Sequence, residues 1–103
     1  MATVTRLERD APAPRTDTLH RLERLAGTLA GRGLDVSLVA PPGRVPWLEV
    51  VHPAADGAAG DVYAARCQDG GWWFWWPWAE RIGAEGNLEA AAATIEQALA
   101  QSA

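Results

Sequence analysis

His20, His52 and Cys67 are the side chains here with the chemistry to hold a soft metal or to pair a nucleophile with a base. Their spacing argues against both. Chelation calls for close intervals such as C-x-x-C or H-x-x-x-H, and none occurs. Cys–His catalysis needs one of these imidazoles beside Cys67 within reach of solvent. A single Cys opposite an aromatic strand instead reads as a small core residue. The Asp56-Gly-Ala-Ala-Gly-Asp61 segment carries two acids and two glycines but matches no calcium or phosphate loop. A Walker loop also requires Lys, and all nine basic residues are Arg. Glu49, Asp61 and Glu80 supply carboxylates, yet no spacing singles out an acid–base pair. The expectation is a protein with no catalytic residues, no metal and no cofactor.

Tryptophan is the residue type that stands out. Five of the six fall between Trp72 and Trp78. Indoles exposed on a sheet have three common uses: stacking on nucleotide bases, stacking on sugar or aromatic rings, and anchoring protein interfaces. Base stacking comes with a positive groove, whereas the formal charge is −4 over 103 residues, so no nucleic-acid partner is expected. No apolar run approaches the roughly 18 residues of a membrane helix. The first 15 residues alternate charged with small side chains and lack an apolar signal core, so a cytoplasmic protein without membrane contact is expected. Arg use without Lys reads as codon bias in a GC-rich genome.

The elements that must position these indoles follow from periodicity. Residues 1–15, with Ala-Pro-Ala-Pro at 11–14, read as a flexible tail, and 16–103 as one domain. A helix is expected over about 17–31, capped by Asp17 or a neighbouring Thr. Its stripe is Leu19, Leu22, Leu25, Ala26 and Leu29. Gly31 and Gly33 supply the left-handed residue that ends it, and Gly27 reads as a point of close helix–sheet packing. Strands are expected over 34–39, from about Val45 or Trp47 to His52, over about 61–68 and from 71 to about 76, with Pro77 ending the last. Glu80–Gly86 reads as a turn broken by Gly83 and Gly86. Asn87 then caps a final helix over 88–101, with Glu89 in its first turn and an apolar face of Leu88, Ala91, Ala92, Ile95, Ala98 and Leu99. The result is an α+β domain of order α-β-β-β-β-α: a four-stranded antiparallel meander with both helices on one face.

Hairpin register sorts the indoles. With Asp69-Gly70 as a two-residue turn, Cys67 opposes Trp72, Arg66 opposes Trp73, Ala65 opposes Phe74, Ala64 opposes Trp75 and Tyr63 opposes Trp76. One face then carries Tyr63, Ala65, Cys67, Trp72, Phe74 and Trp76 and suits the core. The other carries Val62, Ala64, Arg66, Trp73 and Trp75. Together with the outward residues of the second strand, the expected interaction surface is Trp47, Glu49, Val51, Arg66, Trp73 and Trp75. Trp73 and Trp75 are its anchors, Trp47 an edge contact, and Arg66 with Glu49 a polar pair fixing register. Arg66 is also expected to stack on Trp73. A one-residue slip exchanges the two faces. The alternative in which both faces are covered stays open, since a small domain gains from burying large rings.

Several features recur together: the Gly33-Leu34 strand start, the Trp-Trp-Phe-Trp-Trp-Pro-Trp run, the Glu80-Arg81-Ile82-Gly83 turn and the Ala-rich last helix. In these the chain, over about two thirds of its length, resembles small high-GC actinobacterial proteins with no assigned activity. The element order is also similar, by fold analogy alone, to small dimeric chaperone-like and adaptor domains. The functional expectation is a non-catalytic interaction module that forms a homodimer or binds a partner protein through its Trp-bearing sheet face. The alternative is a small-molecule or glycan binder using the same indoles.

Overall fold

The computed structural model describes residues 12–67 and 70–102. Helix α1 spans Pro12–Gly31, followed by β1 (Asp35–Val39), β2 (Trp47–His52), a short 3-10 turn at Pro53–Ala55, β3 (Ala58–Arg66), β4 (Trp72–Trp75), β5 (Arg81–Ala84) and α2 (Leu88–Ser102). The strands form one antiparallel meander in the order β1-β2-β3-β4-β5. The sheet thus has five strands, not the expected four. Two further boundaries move. Residues 1–11 of the expected tail lie outside the described residues, but Pro12–Arg15 belong to α1. Pro12 and Pro14 fall in the first turn, where a missing N–H costs no helical hydrogen bond. Asp17 therefore lies inside the helix and is not its cap.

α1 buries Leu22, Leu25 and Leu29 completely, each contributing roughly 1.5–3 kcal/mol of hydrophobic stabilisation. It ends as its glycines foretell. Gly33 is left-handed at φ 87°. The Gly33 N–H donates to the Ala30 carbonyl at 3.0 Å and the Leu34 N–H to the Leu29 carbonyl at 3.3 Å, a Schellman closure sealed by buried Leu29 and Leu34. At the start of α2, the Asn87 side-chain oxygen accepts from the Ala90 N–H at 3.2 Å, as a cap requires. Both helices pack on the same sheet face and on each other. That face contributes Leu48, Val50, Val62, Ala64, Phe74, Trp76 and Ile82 to the core. Ala91 and Ala92 are fully buried, and their small size lets α2 approach closely. A Cβ built on Gly83 of β5 would stand 3.1 Å from the Ala91 Cβ and 3.2 Å from its Cα. Close helix–sheet packing therefore falls at Gly83. Gly27, where it was expected, is exposed, and nothing lies within 4 Å of a Cβ built on it.

β5 answers to the hairpin before it. The Trp76 N–H donates to the Glu80 carbonyl at 2.9 Å and the Ala79 N–H to the Trp76 carbonyl at 3.0 Å. Ala79 is left-handed at φ 67°. This is a three-residue loop with a left-handed last residue, Pro77 leading the turn, and it returns the chain alongside β4. The segment expected as a turn is therefore an edge strand, with a register irregularity between Phe74 and Trp75.

Candidate aromatic docking face

The β3–β4 connection is also one residue longer than the two-residue turn expected. The Cys67 N–H donates to the Gly71 carbonyl at 2.7 Å, the Gly70 N–H donates to the Cys67 carbonyl at 3.0 Å, and Gly70 takes the left-handed conformation at φ 89°. Asp69, assigned to the turn from sequence, lies outside the described residues. The register becomes Arg66↔Trp72, Ala65↔Trp73, Ala64↔Phe74 and Tyr63↔Trp75. β4 keeps its expected faces: Trp72 and Phe74 toward the helices, Trp73 and Trp75 away. The slip inverts β3 instead. Val62 and Ala64 enter the core, while Tyr63 and Ala65 turn outward.

This relocates one expected site residue. Arg66 opposes Trp72 on the helix side and so leaves the proposed surface. It neither stacks on Trp73 nor pairs with Glu49. Cys67 falls past the end of β3, half-exposed in the turn and away from the inner face. The cation over Trp73 is Arg81, 4.7 Å from that ring centre and 5.6 Å from Trp75. Arg81 belongs to the strand that sequence patterning reads as a turn. A basic residue four positions after Pro77 was the signal available for it.

Trp47, Glu49, Val51, Trp73 and Trp75 do share the face opposite the helices. They are organised by a row running across the strands. Val39 opposes Trp47, the Trp47 and Tyr63 rings sit 5.9 Å apart, Tyr63 opposes Trp75, and Trp75 opposes Arg81. Ala65 beside Trp73 leaves room for the indoles to lie down against the sheet. The Trp75 Nε1–H donates to the Ala65 carbonyl at 3.4 Å. Arg44 covers Trp47 from the side at 5.5 Å. Its loop is held from beneath by Arg15, which donates to the carbonyls of Arg44, Ala40 and Pro41 at 2.7, 3.0 and 3.2 Å. The four rings are half-buried, and no described element lies over them. A recess of about 340 Å³ opens at the end of the row, among Val45, Tyr63, Trp75, Pro77 and Ala79.

Charge on this face is zoned. Glu49 and Asp61 stand directly opposite each other on β2 and β3, and Asp35 follows on β1. Neither Glu49 nor Asp61 has an ion-pair partner among the described residues. The aromatic row carries Arg81 at one end and Arg44, beside Trp47, at the other. On the other side of the sheet, Trp72 is used structurally, with the Arg21 guanidinium 4.2 Å from its ring and 2.9 Å from Glu85. Buried Trp76 stacks on Trp78 at 5.4 Å and 8°. Trp78 is 66% exposed, its Nε1–H donating to Glu80 at 2.7 Å. Sequence reasoning assigned it no role.

No group of three or more His, Cys, Asp or Glu capable of holding a metal occurs among the described residues. No described helix is long and apolar enough to cross a membrane. Comparison with protein-family models, curated proteins and solved structures finds no match. The face is therefore read from its own geometry.

Proposed function

We propose that this protein is a non-catalytic, cytoplasmic interaction module that docks through the Trp47–Tyr63–Trp75–Arg81 row of its sheet, by self-association or onto a partner protein. The observation that carries this reading is the row itself. A solvated sheet face ordinarily presents polar side chains, and contiguous exposed apolar patches mark interaction sites. Trp, Tyr and Arg, the types in the row, are those enriched where interfaces hold their binding energy. The rings are already fixed by strand pairing and by Arg81, so little conformational entropy is lost on docking. Sedimentation velocity at micromolar concentration tests the reading. A species heavier than 11.0 kDa is expected, returning to monomer mass in Trp75→Ala with the fold intact by circular dichroism. A monomer whose Trp75→Ala variant is unchanged in both mass and stability ends the self-association reading.

The recess beside Trp75 favours a second reading, a small-molecule or glycan binder. At about 340 Å³ it falls in the range of small ligand pockets, and a ring wall suits a sugar or aromatic face. Quenching of tryptophan fluorescence by a sugar or aromatic ligand, lost in Trp75→Ala, is the expected mark of this reading. A flat response across a ligand library counts against it.

A further inference from the structure

The zoning of charge on the open face singles out one occupant. Glu49 and Asp61 face each other across β2 and β3, and like charges in that position repel. No cation of the described chain pairs with either. Arg81, on the far edge strand, holds its guanidinium carbon 4.7 and 5.6 Å from the Trp73 and Trp75 ring centres, and its guanidinium N–H donors reach no acceptor among the described residues. It too makes no ion pair among the described residues. Glu49 and Arg81 stand on β2 and β5, three strand spacings apart and offset by two residues along the strands, or about 16 Å, so they cannot satisfy each other within one chain. Resting on the docking role proposed above, we infer that the partner is a second copy of this chain, stacked sheet on sheet so that Arg81 of each copy meets Glu49 and Asp61 of the other.

Symmetry makes the match reciprocal. A two-fold axis lies between the stacked sheets, perpendicular to the line from Glu49 to Arg81. Rotation about it carries the acidic half of one copy onto the aromatic half of its partner. The midpoint of that line falls between β3 and β4, one residue along from the Tyr63–Trp75 pair. The rings nearest the axis thus pack against their own symmetry equivalents. The apolar centre is dry, and two acid–guanidinium clusters flank it, the arrangement in which charge fixes register and excludes wrong partners.

Exchange of charge between non-contacting positions tests this. In the full-length chain, Glu49→Arg alone and Arg81→Glu alone each set like charges against each other at both clusters. Each is expected to weaken the dimer by roughly tenfold or more, with the helical signal preserved. Mixing the two variants in equal amounts restores opposite signs at both clusters, so a heterodimer should form where neither variant dimerises alone. The double variant carrying both changes should dimerise by itself. Restoration by mixing can arise only across copies. A chain that stays monomeric at every concentration overturns the inference. So does a dimer that ignores both charge reversals. If that dimer is still lost in Trp75→Ala, the docking face stands and only the charge pairing falls. If it survives Trp75→Ala as well, both fall.

Discussion

Phe74 and Trp75 are adjacent in sequence and stand on opposite faces of β4. Phe74 is fully buried against Ala64 and the helices. Phe74→Ala should cost roughly 3–5 kcal/mol, because the cavity it leaves is walled by packed neighbours that cannot all collapse into it. Trp75 is half-buried, with one ring face toward Arg81 and open solvent. Truncating it removes part of a ring contact and a cation–π interaction that is worth about 0.5–1 kcal/mol at an exposed site. Urea unfolding should separate the two variants, with a large fall in midpoint for Phe74→Ala and a small one for Trp75→Ala. Equal losses would mean that Trp75 is a core residue and that the outer face is not free for docking. Alternation along one strand thus assigns stability to one residue and surface chemistry to the next.

At the scale of elements, two glycines should respond in opposite ways. Gly27 lies in the interior of α1 with open space around it, so Gly27→Ala should raise stability by about 0.5–1 kcal/mol, through lower unfolded-state entropy and better helix propensity. Gly83→Ala sets a methyl against the backbone of Ala91, where α2 must lift as a unit, at a cost of about 1–3 kcal/mol. A pair of thermal melts reads both signs. The same two residues show what was legible in the sequence. Helical stripes, the Asn87 cap, the Gly33 stop and the outward set Trp47, Glu49 and Val51 follow from periodicity and capping chemistry alone. What periodicity could not carry was loop length. One extra residue between Cys67 and Gly71 inverted the faces of β3 and took Arg66 off the site. A four-residue strand with one large apolar residue, Ile82, and a glycine packed on a helix has too little pattern to be told from a turn. With β5 hidden, Arg81 was hidden too. The site was therefore half legible: its indoles were, and its cation was not.

For the whole molecule, the two helices can cover only one side of a five-stranded sheet, and the same asymmetry decides how stability should depend on concentration. A domain of this size is held by only about 5–15 kcal/mol, and its fully buried core lies on the helix side. Docking between folded copies adds to this by mass action, because only the native state presents the row. Above the dissociation constant, each tenfold rise in concentration favours a dimer by about 1.4 kcal/mol, or about 0.7 kcal/mol per protomer. For a chain near 100 residues that moves the melting midpoint by roughly 3–5 °C. Differential scanning calorimetry across two decades of concentration should show this upward drift for the unmodified chain. Trp75→Ala should abolish it, and a mixture of the Glu49→Arg and Arg81→Glu variants should recover it, while either variant alone should drift only at roughly tenfold or higher concentration. A midpoint independent of concentration for the unmodified chain would leave the aromatic row without a second copy to meet.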